Sequence, residues 1–380
     1  MSALTILSDE EQSYFDAIKD FAKKEITPHV TAMDEAQQVN KDIVKKLFEM
    51  GLMGIEVPQS LEGSEASFFT AILAVQAISQ VDPSVGVMVD VQNTLVNNAF
   101  MRWGSDALKK KYLPQLATGK VGSYCLSESS SGSDAFALKT KAVKKDGKYI
   151  LNGQKLWITN AGEADIFIII ANLNPEQGYK GITAFIVERG FKGFSVSKKE
   201  NKLGIRASST CELVLEDCEV PLENLMGEEG KGYKVAIETL NEGRIGIGAQ
   251  MVGLAEAALN HAVEYVKTRN QFGKPIASFQ GMQFQLAQMA IDVETAKLMV
   301  YNAARLKDAG KDFVKEAAMA KYHSSQVAER VASLAVECFG GYGFVKDYPV
   351  EKLYRDAKIG KIYEGTSFMQ LMTIGKILLG

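Results

Sequence analysis

Near the C-terminus of the chain stands Tyr363-Glu364-Gly365-Thr366, a carboxylate flanked by apolar residues between Ile359–Ile362 and a final helical segment. Burial at such a place would raise the carboxyl pKa, which suits a general base working near neutrality. A plain carboxylate at a helix N-terminus is the simpler reading of those residues alone. A second charged group lies in Leu240-Asn241-Glu242-Gly243-Arg244, within an apolar helical stretch. A buried guanidinium needs an anionic partner. A ligand phosphate and the Glu364 carboxylate serve equally well on charge.

Four further segments carry groups able to bind a ligand. Tyr124-Cys125-Leu126-Ser127-Glu128 runs from a strand into the loop Ser129-Ser130-Ser131-Gly132-Ser133-Asp134. Hydroxyls and backbone N–H groups in such a loop suit an anionic or heterocyclic ligand; a solvated turn explains it too. Trp157-Ile158-Thr159-Asn160 offers an aromatic wall for a planar cofactor, or a core tryptophan. Arg269-Asn270-Gln271-Phe272-Gly273-Lys274, with Gln280 further on, is a basic loop opening a helix, which suits phosphate or a charged surface. Glu337-Cys338-Phe339-Gly340-Gly341-Tyr342-Gly343 ends a helix in glycines that admit close backbone approach, or merely cap it.

Other chemistries find no support. There is no G-x-G-x-x-G after a strand, no phosphate-binding P-loop and no G-x-S-x-G serine elbow. Gly227-Glu228-Glu229-Gly230-Lys231-Gly232 has the wrong spacing for a nucleotide loop. Cys125, Cys211, Cys218 and Cys338 form no C-x-x-C pair, and His29, His261 and His323 lie far apart, so no metal site is expected.

The elements that must position these groups follow an α, then β, then α order. Ser8 with Glu11 forms a capping box ahead of Phe15, Ile18 and Phe21 at helical spacing. Helices are expected near 42–50, stopped by Gly51, and over 66–79 and 91–103. Past Lys120 the segments shorten and β-branched residues rise. Asp146-Gly147 between alternating runs marks a hairpin. Strands are expected over 166–171, 182–187, 194–198 and 211–215. Helical periodicity returns at Tyr233, with long amphipathic stretches over 284–309 and 312–339. The expected division is an N-terminal helical domain over 1–120, a middle β domain over 121–232 and a C-terminal helical bundle over 233–380.

Length and composition are those of an ordinary globular protein. A chain of 380 residues can bury a large core and still form a cleft. With 43 Lys+Arg against 46 Asp+Glu, the formal charge of −3 lacks the basic excess of a nucleic-acid binder. The longest aliphatic run, Ile166–Ala171, is far short of the ~20 residues that span a bilayer, so no membrane insertion is expected. Reduced thiols and no secretory leader point to a reducing compartment: cytoplasm for a bacterial chain, mitochondrial matrix for a processed eukaryotic one.

Taken together, these segments resemble the acyl-CoA dehydrogenase family along about residues 5–378. Arg355-Asp356-Ala357-Lys358 with Ile362–Thr366, Tyr124–Ser133 and Trp157–Thr159 carry the resemblance. Ile205–Cys211 and Leu240–Ile247 are most similar to the short/branched-chain members, with the butyryl-CoA enzymes close behind. The resemblance implies an α+β multidomain fold: a helical N-domain, a middle β-barrel-like domain and a C-terminal four-helix bundle, assembled as a homotetramer, a dimer of dimers. It implies FAD, with Tyr124, Leu126, Ser127, Ser133, Trp157, Ile158 and Thr159 around the flavin. Arg269, Phe272, Gln280 and Glu337, Cys338, Phe339, Gly340, Gly341 would hold the pyrophosphate and adenosine, from a neighbouring subunit. Thr366, Ser367 and Phe368 would close over the flavin; Phe368 departs from the polar residue usual there.

The acyl-CoA would meet Ser133, Tyr179, Tyr233, Asn241, Glu242, Gly243, Arg244 and Gly365. Glu364 matches the family's usual base. Some relatives carry the carboxylate just before the arginine, where this chain has Gly243. The implied activity is α,β-dehydrogenation of short or short branched acyl-CoA to trans-2-enoyl-CoA, with electrons passed to an electron-transfer flavoprotein. The rivals are a strictly straight-chain butyryl-CoA enzyme, an oxidase, a non-catalytic flavin-containing paralogue and a purely structural helical protein.

Overall fold

The computed structural model describes residues 4–380. Seven helices open the chain: α1 (Asp9–Phe21), α2 (Val30–Ala36), α3 (Lys41–Glu49), α4 (Phe68–Ser79), α5 (Pro83–Asp90), α6 (Asn98–Trp103) and α7 (Asp106–Thr118). The capping box is formed: Ser8 Oγ accepts from the Glu11 N–H at 3.2 Å, and Glu11 Oε2 accepts from the Ser8 N–H at 2.9 Å. In α4 every residue except Thr70 is buried. A helix apolar on all sides belongs at the centre of a protein.

The helix expected over 91–103 starts earlier. Asp82 caps the Ser84 N–H and Pro83 takes the first helical position, where a missing N–H costs nothing. From Val91 to Asn97 the chain is π-wound before continuing into α6. This widened turn keeps the Asn93 amide inside, donating to the carbonyls of Leu52 and Val89.

Eight strands follow: β1 (Val121–Cys125), β2 (Lys141–Lys145), β3 (Lys148–Thr159), β4 (Ala164–Asn172), β5 (Ile182–Glu188), β6 (Phe194–Lys199), β7 (Thr210–Pro221) and β8 (Leu225–Met226). They pair in the order β6-β7-β3-β2-β4-β5-β8, with β1 added parallel to β4. The path ends at β6 and β8 without closing, so the middle domain is an open sheet and not a closed barrel. Asp146 and Gly147, at φ +50° and +76°, make the expected two-residue hairpin between β2 and β3.

The remaining chain forms α8 (Gly232–Thr268), a small hairpin of β9 (Asn270–Gln271) and β10 (Lys274–Pro275), then α9 (Gln280–Asp308), α10 (Val314–Phe339), α11 (Val350–Ala357) and α12 (Ser367–Leu379). Helix α8 is the axis of the molecule, burying most of its first thirty or so positions against α4, α9 and α10. The Arg355-Asp356 block ties the three parts together. Arg355 pairs with Asp34 at 2.8 Å and with Glu351, and Asp356 accepts from Lys352 at 2.6 Å and from the Ile205 N–H.

Candidate active site

Glu364 stands on a strained turn between α11 and α12. Its φ is +52°, a region non-glycine residues rarely adopt, and Gly365 follows at +86°. Two buried side chains hold this turn from outside. Gln370 Nε2 donates to the carbonyls of Glu364 (3.1 Å) and Gly365 (2.9 Å), and Lys321 Nζ donates to the Gly365 carbonyl at 2.6 Å. The Glu364 side chain is aimed inward, and its Oε2 is shut off from solvent without a hydrogen-bond partner.

That oxygen faces the glycines of α8. A Cβ on Gly243 would stand 2.8 Å from Glu364 Oε2 and 2.7 Å from Leu95 Cδ2. One turn on, a Cβ on Gly246 would come within 1.7 Å of Asp90 Oδ1. The bare helix backbone therefore leaves room for two carboxyl groups. Burial pushes the Glu364 carboxyl up to about 7, against the opposing pull of Lys321 and Arg244. Asp90 is fully buried and accepts from Thr94 Oγ1 at 2.8 Å, while its Oδ2 has no partner. Burial first, and the neighbouring Glu364 charge second, push Asp90 well above the aspartate range. Asp90 is thereby pushed towards its protonated form beside the Glu364 carboxyl.

Tyr124 brings a third unpartnered group. It is buried on β1, its hydroxyl has no hydrogen bond, and burial with the Glu364 charge holds the phenol protonated. Arg244 donates to Asn241 Oδ1 at 3.0 Å and keeps a buried Nε without a partner. It lies within electrostatic reach of Glu364, and its free donor still suits a ligand. Lys321 and Asp90 belong to this constellation, yet neither stands out in the sequence: each is one charge inside a long helical run.

Glu242 is not among these groups. It is 2% exposed and turned the other way, accepting from Asn98 Nδ2 at 2.6 Å, pairing with Arg102 and lying 3.6 Å from Lys307. The helix turns about 100° per residue, so Glu242 and Gly243 cannot share a face. Its carboxylate fastens α8 to the first domain.

Tyr179 and Tyr233 meet edge to face at 5.1 Å, with Phe136 beside both at 6.3 and 6.4 Å. Phe136 completes this aromatic group, and the Ser-rich loop that precedes it gives no hint of that role. Ser133 is exposed on the same loop, and Ser127 is partly open at its base. Leu126 is buried beneath them. Trp157 is 56% exposed at φ +58°, on a bulge where the β3–β7 register shifts. The core tryptophan reading is thereby overturned: the ring stands open on the sheet. Ile158 points the other way and is 2% exposed, so its side chain is core and only its backbone can serve a ligand. Thr159 is half-buried next to it.

Arg269, Phe272 and the residues Glu337, Cys338, Phe339, Gly340 and Gly341 line one cleft of about 1080 Å³. Tyr265 stacks on Phe339 at 3.9 Å, and Arg269 lies over the Tyr342 ring at 5.2 Å. Phe272 is 92% exposed at its lip; Gln280 is exposed at the start of α9, outside the lining. This cleft is remote from Glu364. Arg244 and Arg269 are about 25 residues apart, the second just past the end of α8, a separation of about 37 Å along the axis. Thr366 caps α12 through the Met369 N–H, Ser367 receives Gln326, and Phe368 is 82% exposed. Among the described residues, no group of His, Cys, Asp and Glu could hold a metal, and no helix is long and apolar enough to cross a membrane.

A buried carboxyl raised towards neutrality, an open indole on a sheet and an aromatic-basic cleft fit an oxidoreductase built around a planar cofactor. The family profiles agree: acyl-CoA dehydrogenase N-terminal domain over residues 8–120, middle domain over 123–218 and C-terminal domain over 230–379. The chain belongs to the acyl-CoA dehydrogenase family. It is 54% identical over 374 residues to the probable short/branched chain specific acyl-CoA dehydrogenase of Dictyostelium discoideum, covering 98% of this chain and 91% of that one. Butyryl-CoA dehydrogenase of Megasphaera elsdenii superposes with a TM-score of 0.97 at 44% identity, each chain fully covered. An acyl-CoA dehydrogenase of Bacillus anthracis, solved in complex with FAD, matches at a TM-score of 0.93 and 32% identity over 100% of this chain and 68% of that one.

Proposed function

We propose that this protein dehydrogenates short or short branched acyl-CoA thioesters between C2 and C3, giving the trans-2-enoyl-CoA, with Glu364 as the base. The observation that carries the reading is the unpartnered Glu364 Oε2, enclosed against Gly243 and poised near neutrality. FAD is the cofactor and supplies the hydride acceptor when bound. The residues present fit it. The open Trp157 ring, the unpartnered Tyr124 hydroxyl and the Ser127–Ser133 loop suit the flavin, with Thr159 beside it and Thr366, Ser367 and Phe368 at the α12 end. The cleft at Arg269 and Phe339 suits a charged diphosphate and an adenine ring.

The residues of the chain do the following. Glu364 takes the C2 proton as the C3 hydrogen leaves with its electron pair. Its raised pKa makes it a strong enough base to share the proton in the transition state. Gly243 and Gly246 leave the space that the two carboxyls occupy, so that Glu364 can stand against α8. Tyr179, Tyr233 and Phe136 form an apolar rim, and the free Arg244 Nε offers a donor to the ligand. Asn241 holds Arg244 in place.

One subunit cannot bring its own Arg269 cleft to its own Glu364 across about 37 Å of helix. The cofactor's adenosine end is therefore held by a neighbouring copy. Exposed apolar side chains on α9 and α12, among them Phe284, Ile291, Leu371 and Leu378, support a homotetramer arranged as a dimer of dimers. The segments 1–120, 121–232 and 233–380 act as its three structural units. An electron-transfer flavoprotein is the expected electron acceptor.

The test is flavin bleaching on mixing with butyryl-, 2-methylbutyryl- and isobutyryl-CoA. Wild type bleaches with at least one of them; Glu364→Gln binds FAD and thioester but loses bleaching by a factor of a thousand or so, within the range that general bases contribute. Near wild-type bleaching by Glu364→Gln refutes the assignment. The ranking of kcat/KM across the panel separates a branched-chain enzyme from a strictly straight-chain one.

A further inference from the structure

Lys321, on α10, is 0% exposed. A buried ammonium is stable only with strong compensation, and among the described residues Lys321 forms no ion pair with a carboxylate. Its hydrogen bond goes to a backbone oxygen, the Gly365 carbonyl at 2.6 Å, the peptide immediately after the proposed base. The opposite charge it feels is that of Glu364, and Arg244 is the like charge nearby. The same carbonyl also accepts from Gln370 at 2.9 Å, so the turn at Glu364 and Gly365 is clamped from α10 and α12 together.

The geometry points to Lys321 as a positioning residue for Glu364: it anchors the strained turn that carries the carboxyl and supplies the cation that steadies the carboxylate. The inference rests on the reading of Glu364 as the base. Glu364 is faced by Asp90 from α5, Tyr124 from β1, Arg244 from α8 and Lys321 from α10, with Tyr363 adjoining it. Of these, Asp90 and the two tyrosines are pushed towards their neutral forms by burial, and Arg244 keeps its charge. Burial lowers Lys321 to about 7, so Lys321 alone among the cations changes charge in the range where Glu364 does. The two groups titrate as a pair. As Lys321 loses its proton, Glu364 holds its own more firmly.

The variants Lys321→Met and Lys321→Arg separate charge from packing. Methionine keeps much of the volume without charge; arginine stays charged at every accessible pH. The readout is the infrared stretch of the protonated Glu364 carboxyl, titrated in the purified holoenzyme without substrate and identified by its loss in Glu364→Gln. The midpoint is expected to fall in the order Met, wild type, Arg, with about one pH unit or more between the extremes. Equal midpoints, or the reverse order, overturn the proposal and leave Lys321 a packing residue. Should Lys321→Met fail to fold, wild type against Lys321→Arg still decides it. Because no turnover is needed, failure of the proposed activity shows separately, as absence of bleaching by every acyl-CoA.

Discussion

Gly243 and Glu364 are in direct opposition: a Cβ on the glycine would stand 2.8 Å from the carboxylate oxygen. The position just before Arg244 thus faces the Glu364 carboxyl directly from α8. Gly243 is helical and carries no positive φ, so alanine there brings no backbone strain and improves helix propensity. Any loss in Gly243→Ala comes from pushing Glu364 and Leu95 aside. Flavin reduction is expected to slow ten- to a hundredfold while Tm is held or raised, since a misplaced catalytic group costs this much. Unchanged reduction kinetics would show that Glu364 has free room.

The pH dependence follows from the Glu364 carboxyl at about 7. In its proposed role Glu364 works as the carboxylate, so kcat/KM is expected to fall about tenfold per pH unit below that point. The stability effect has the opposite sense. A pKa raised on folding favours the folded state below the unfolded value and withdraws that contribution as pH rises through the folded one. Between about pH 4.5 and 7 the unfolded chain releases the Glu364 proton while the folded protein retains it, which weakens the fold by roughly 3 kcal/mol at the upper end. Glu364→Gln should therefore show a higher Tm than wild type at pH 8 and a nearly equal one at pH 5. Equal Tm differences at the two values would contradict a raised pKa.

Trp157 and Trp103 are the tryptophans of the chain, and Trp157 is the exposed one. Stacking on the flavin would quench its emission. Removal of FAD is expected to raise tryptophan fluorescence in wild type and to change it far less in Trp157→Phe. A similar rise in the two proteins would place the indole away from the cofactor.

Beneath the Ser-rich loop, Lys155 donates to Glu128 Oε1 at 2.6 Å and to the Leu126 carbonyl at 3.1 Å, and the pair is buried. Glu128 in turn accepts from the Lys139 and Thr140 N–H groups. Lys155→Met strips a buried carboxylate of its cation and is expected to cost about 3 kcal/mol, seen as a lowered Tm. Adding Glu128→Gln should recover a large part of it. A Tm unaffected by Lys155→Met would mean that water reaches the carboxylate.

Much of the fold was legible because its signals are local. Ser8 and Glu11 cap a helix from within one turn, Asp146-Gly147 forms its hairpin without outside help, and the periodicity of 284–309 and 312–339 marks helices whatever they pack on. The π-wound segment after Asp90 escaped this reading, since a widened turn answers to the groups packed around it. Trp157 shows the same limit in another form. A bulge reverses its side chain to the open face, and no residue type around it announces the bulge.

The sequence by itself determined the inventory: one carboxylate at the turn before the last helix, an arginine on a glycine-bearing helix, a hydroxyl-rich loop, and the order of helices and strands that carries them. Tertiary structure decided which groups became reactive. Glu242 and Glu364 are the same residue type, yet one is neutralised by Arg102 and Lys307 while the other keeps an oxygen with no partner. Asp90 stands more than two hundred residues from Lys321 and Glu364, and those two lie on separate segments, α10 and the turn before α12; the three act on one another only once folding removes the water between them. Desolvation and charge–charge coupling are properties of that shared enclosure, and no segment of the chain carries them alone.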